Sequence, residues 1–237
     1  MPDAVDRLRR LPDSDRHDVL AAAREIAACR RVLRRAGETM VARLTRSTAP
    51  PEPWRHYPQG GDVYDPNSHA QYYFHCHAEA GDDGEVGHFH TFLRPAGMPP
   101  GIAAQGVPAA AVAEEAPSHL VAIGIGPAGD PVRLFTTNRW VTGEAWYPAP
   151  AVEAMLGRFA IDRQHPSWAV NRWLTALFRL YRPEMGLLVR ARDEAVRRWQ
   201  AGHPDRDAFE DRDLEVASTM RIDLDARLLE IERALAR

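Results

Sequence analysis

Five of the ten histidines fall between His69 and His90. His75 and His77 stand two apart in QYYFHCHA (71–78), and His88 and His90 stand two apart in VGHFHTFLR (86–94). Side chains alternate faces along a β-strand, so each pair projects from one side of its strand. If the segments pair as a hairpin with His77 opposite His88, then His75 falls opposite His90 and four imidazoles share one face. Opposed Cβ atoms lie about 4.5–5.5 Å apart, close enough for the rings to converge on one ion. A slip of one residue would scatter them, so the patch depends on register.

Neutral imidazole is a ligand for divalent transition metals such as Fe, Zn, Cu or Mn. Three protein ligands with an open position suit catalysis, whereas four closed ligands suit structure or storage. The expected ligands are His75, His77, His88 and His90, with Glu79 and His119 in reserve. Glu85 also flanks the hairpin and offers a carboxylate. Glu85, His69 and Tyr73 are the candidate catalytic groups, the latter two in the polar, aromatic approach GDVYDPNSHAQYYF. Tyr64, Asn138 and Arg139 are candidate substrate contacts. Cys76, between two histidines, faces the other way and reads as a core thiol.

Composition removes the competing chemistries. All 30 basic residues are Arg, because the chain has no Lys. Schiff-base catalysis needs an amine that can lose its proton, and a phosphate-binding P-loop needs a Lys at a fixed place. No GxSxG elbow is present, and GIGPAG lacks the glycine spacing of a dinucleotide site. Two cysteines are too few for a disulfide framework. A net charge of -3 argues against nucleic acid as a partner. The N-terminus has no secretory pattern and no run is long enough to span a membrane, so the expected location is the cytoplasm. The leading expectation is a metal-dependent hydrolase or oxidoreductase acting on a small molecule. The alternative is a metal-sensing or accessory binding protein, with oligomeric state left open.

The elements that must hold this patch give an α+β fold: a central antiparallel sheet of at least four strands flanked by a long N-terminal helix and C-terminal helices. Residues 14–46 read as one helix capped by Asp13 or Ser14, with Val19, Leu20, Ala23, Ile26, Ala27 and Val32 on its apolar face. STAPPEPW (47–54) stops it, so residues 1–50 are expected to form a helical arm on an α+β unit spanning 51–237, within one compact whole. A Pro, Gly and Ala tract (95–117) separates the hairpin from strands at 119–125 and 132–141. Val170, Leu174, Leu177, Phe178 and Tyr181 mark a helix face that Pro183 interrupts. A second helix runs to about Gln200, and the end of the chain reads as a short strand and a helix.

GDVYDPNSHAQYYFHCH followed by GHFHTFLRP resembles the signature of an uncharacterised bacterial domain family that covers most of the chain. That resemblance implies a shared fold and site, and names no substrate. Two partial likenesses are better known. His75, His77, Glu79 and either His88 or His90 resemble by type the ligand set of cupin metalloenzymes, although cupins place the Glu farther along and the last His well downstream. HFHTFLRP resembles the strand of histidine-triad nucleotide hydrolases and transferases, which implies a nucleophilic His90. Phe92 stands where that motif has its third His.

Overall fold

The computed structural model describes residues 12–78, 84–106 and 116–235. Six strands form one antiparallel sheet in chain order: β1 (Val63–Tyr64), β2 (Ala70–His75), β3 (Gly87–Leu93), β4 (Ser118–Ile125), β5 (Pro131–Thr137) and β6 (Val216–Arg221). Seven helices accompany it among the described residues: α1 (Asp13–Arg35), α2 (Met40–Thr45), α3 (Arg139–Thr142), α4 (Ala149–Leu156), α5 (Trp168–Leu180), α6 (Arg182–Gly202) and α7 (Leu224–Leu235). The protein is α+β.

The expected single helix over 14–46 is two. Glu38 N–H bonds Leu33 O at 3.0 Å and Gly37 N–H bonds Arg34 O at 3.1 Å. With Gly37 at φ 68, this is a Schellman stop, which a residue without Cβ adopts without strain. Thr39 then caps α2 by accepting from Ala42 N–H at 3.0 Å. The N-cap position of α1 is Pro12, which makes no side-chain bond, and Asp13 and Ser14 already lie within the helix. Ala22, Ala23, Ile26, Cys29 and Leu33 of α1 join the same hydrophobic cluster as the sheet and α5. Val32, expected on that face, is exposed instead. At the sheet's far side, β5 ends at Thr137, and Asn138 caps the short α3 where the sequence pattern extends the strand to 141. Of the 95–117 tract, Pro95–Gly97 forms a 3-10 turn, while 107–115 lies outside the described residues.

The sheet has two unlike faces. Tyr72, Phe74, Phe89, Leu93, Ile123 and Leu134 enter the cluster shared with the helices, and Trp173 of α5 meets Phe89 with ring centroids 6.2 Å apart. Burying aromatic and aliphatic side chains of this size stabilises by about 1.5–3 kcal/mol each. One polar joint is set into this layer: the Tyr72 hydroxyl donates to Asn171 Oδ1 at 2.5 Å, and Asn171 Nδ2 donates to the carbonyls of Arg163 and His165. The opposite face carries Gln71, Tyr73 and His75 from β2, His88, His90 and Phe92 from β3, and Arg133, Phe135 and Thr137 from β5, all lining one cavity.

Asn171→Ala leaves the Tyr72 hydroxyl and two carbonyls without their partner, so it should cost on the order of 3 kcal/mol in urea unfolding. Because Asn171 lies on the helix side of the sheet, the substitution should leave the cavity on the opposite face unchanged.

Candidate metal centre

β2 and β3 pair with His75 opposite His88 and Tyr73 opposite His90. This differs by two residues from the register expected above. A shift of two preserves face, so the imidazoles stay on one side, but their partners change. The cause lies on the other face, where Phe74 sits opposite Phe89 with centroids 5.1 Å apart. An aromatic cross-strand pair of this kind pins register, while the long connection 76–86 imposes none. Gly87 starts β3 at a point where a Cβ would lie 2.5 Å from the Phe74 ring and 2.6 Å from His75 O. Only glycine admits that approach.

His75, His88 and His90 place one ring nitrogen each within 4.8 Å of the others, a group that can hold a metal ion. His88 and His90 are buried at 6% and 1% exposure, and His75 is partly buried. The Nε2 atoms of His75 and His88 face each other at 2.7 Å. On its far side, His88 Nδ1 donates to Glu85 Oε1 at 2.6 Å. That bond leaves the His88 Nε2 lone pair directed at the cluster. Glu85 Oε2 in turn accepts from Arg133 Nε at 3.0 Å and pairs with Nη2 at 2.8 Å. A Cβ at Gly124, the β4 residue opposite Arg133, would collide with the Glu85 carboxylate. A bare glycine there is the slot that receives it.

His119 reaches the cluster through an irregularity in the β3–β4 ladder. His90 pairs with Ala122 but Phe92 pairs with His119, so β4 carries one extra residue in between. A bulge of this kind turns a side chain to the other face, and it brings His119 Nε2 to 3.1 Å from His90 Nδ1. His77 falls beyond the paired end of β2. Its ring lies 5.1 Å from His75 and 5.2 Å from His88 and stacks on Trp54 at 4.5 Å, outside the group of three.

His75, His90 and His119 are held neutral. Burial pulls His75 down to about 3, helped by His88, His77 and His56 nearby. Burial also pulls His119 down to about 3, with Arg192 adding to it, and drives His90 well below the usual range. An imidazole without its proton offers a lone pair to a metal.

The remaining expected residues divide sharply. Glu85 and Tyr73 line the cavity, Tyr73 stacked on His56 at 3.9 Å and beside His90 at 5.1 Å. Tyr64 and His69 bond each other at 2.6 Å and do not line it. Asn138 and Arg139, expected to face the cavity, are not among the residues that line it. Asn138 is consumed by the α3 cap and Ala208 O, and Arg139 by Glu210. Glu79 lies outside the described residues. His56 belongs to the polar, aromatic approach to the hairpin, and Arg133 was not anticipated. His56 meets His75 edge-on at 5.7 Å, but it sits on a loop, where no strand parity assigns it a face. Arg133 could have been sought from Gly124, since a strand glycine often marks a close approach.

The site is thus a multi-histidine cavity on one face of an antiparallel sheet in an α+β protein. The chain belongs to the family described as a domain of unknown function, DUF6969, whose model matches residues 20–222. That span contains both histidine segments. No curated protein and no solved structure matches the chain.

A buried neutral histidine has a signature in pH. The unfolded chain takes up a proton near pH 6.5, whereas folded His119 does so only near 3. Below pH 6.5 the unfolded state therefore binds more protons, and the metal-free protein loses stability as pH falls from there towards 3. His119 alone should contribute on the order of 1 kcal/mol per pH unit in that window. His119→Gln, which keeps a hydrogen-bonding group beside His90, should flatten the slope of urea stability against pH by that amount.

Proposed function

We propose that the protein is a metalloenzyme that binds one divalent transition metal through His75, His88 and His90 and acts on a small molecule. The observation that carries this reading is the convergence of three imidazoles, those of His75, His88 and His90, on the wall of a cavity of about 1030 Å³. A space of that size admits a drug-sized molecule, which a storage or structural site does not need. Three histidines leave coordination positions open, as catalytic sites do. Zn, Fe, Cu and Mn all accept such donors, and the bound ion would supply Lewis-acid or redox chemistry.

The chain's own residues do the positioning. Glu85 fixes which nitrogen of His88 faces the ion and holds the ring in place, while Arg133 holds Glu85. Tyr73, stacked on His56, offers a hydroxyl-bearing ring beside His90. Among the described residues no helix is long and apolar enough to cross a membrane. We place the enzyme in the cytoplasm, with a small-molecule partner in place of nucleic acid or lipid.

Elemental analysis of purified protein tests the site. We expect about one metal per chain, lost in His88→Ala and in His90→Ala. Glu85→Gln should retain the fold and weaken metal affinity by about 10–100-fold, the usual effect of removing a carboxylate behind a histidine ligand. Gly124→Ala should do the same by displacing Glu85. Full occupancy in a variant lacking His75, His88 and His90 would refute the assignment.

A further inference from the structure

The walls of the cavity are aromatic. Tyr73, Phe92 and Phe135 rise from the sheet, and Trp54 and Trp140 stand among the residues around them. Trp54 is 66% exposed, yet it is fixed: its backbone N–H donates to Cys76 O at 2.8 Å and its indole stacks on His77 within 24° of parallel. Its φ of 64 is costly for so bulky a residue, so surrounding contacts hold the ring where it is.

Charge on these walls is one-sided. Asp62, Glu85 and Glu215 line the cavity, and Arg133 is the one Arg among the described lining residues. Arg133 is already neutralised. Its Nε and Nη2 both engage Glu85, and its guanidinium lies 4.1 Å over the Phe135 ring. A phosphate or carboxylate entering the cavity would find no free cation among the described lining residues and would face acidic groups instead.

Two hydroxyls of the lining, those of Thr137 and Thr142, are buried without a hydrogen-bonding partner. Thr137 lines the cavity beside Phe135 and is 2% exposed, and its hydroxyl has no hydrogen-bonding partner. Buried hydroxyls are normally satisfied, and a ligand is a ready source of the missing bond.

From this wall, and building on the metal-centre reading above, we propose that the cavity takes a neutral, planar aromatic molecule bearing one hydrogen-bonding substituent. Substrates carrying phosphate or carboxylate are turned away. Nucleotides, which the histidine-triad likeness would require, are among those excluded.

Titration calorimetry with 2-naphthol, 2-naphthoate and 2-naphthyl phosphate tests this, on both the metal-free and the zinc-loaded protein. In the metal-free protein no ion can recruit the anions, so the wall alone decides. There 2-naphthol should bind at least about tenfold more tightly than either anion. Thr137→Val, which keeps shape and removes the hydroxyl, should weaken 2-naphthol about five- to tenfold and leave zinc content unchanged. Glu85→Gln should free Arg133 and raise affinity for 2-naphthyl phosphate roughly tenfold. Equal or tighter binding of either anion to metal-free wild type, or no binding of 2-naphthol, overturns the proposal. The metal-centre reading fails separately, through absence of metal from the wild-type protein.

Discussion

The contact between Phe74 and Phe89 governs the site although neither ring touches it. Those rings face the helices, and their pairing sets the offset between β2 and β3. Alternation then fixes every residue on the opposite face: His75 against His88, Tyr73 against His90. An offset of one residue would send His75 into the apolar layer and Phe74 into the cavity. The hydrophobic effect on one side of the sheet thus determines ligand geometry on the other.

Parity was legible in the sequence, and register was not. The segments QYYFHCHA and VGHFHTFLR declare by alternation which residues share a face, and the paired strands keep those assignments; Cys76, just past the end of β2 and expected in the core, lines the cavity instead. The offset depends on which aromatic ring packs on which, a property of two segments and of the helix layer covering them. The bulge that turns His119 towards His90 is likewise invisible in HLVAIGI, because one extra residue in a ladder leaves no mark in periodicity. The α+β class followed from the order of patterns along the chain. The break at Gly37 was written in the sequence but was outweighed by the apolar spacing that precedes it.

Polar residues on loops were the hardest to place. Asn138 and Arg139 follow a strand, and chain proximity suggested the cavity. A helix N-cap and a carboxylate on the 207–210 segment claimed them first. Buried donors are satisfied by whatever lies nearest, so a polar residue just past a strand is as easily a joint as a ligand contact. His56 shows the converse. It reaches the site only because Tyr57 bridges to Phe74, a pairing that needs the folded sheet.

The donor types also suit the dielectric. Carboxylate ligands buried among Phe92, Phe135 and Tyr73 would each bring a charge that needs a counter-charge in the metal-free state. Imidazoles avoid this by giving up their protons, which is the direction in which burial drives His75, His90 and His119. The one carboxylate placed directly behind a ligand, Glu85, is 6% exposed and carries its own cation in Arg133. That pair is close to neutral as a unit, so it can sit under the cluster with or without an ion above it. Gly124 supplies the space, at a strand position where any side chain would force Glu85 out. Neutral rings at His75, His90 and His119, one compensated ion pair and one missing side chain together make a site that needs no bound cation to balance its charge.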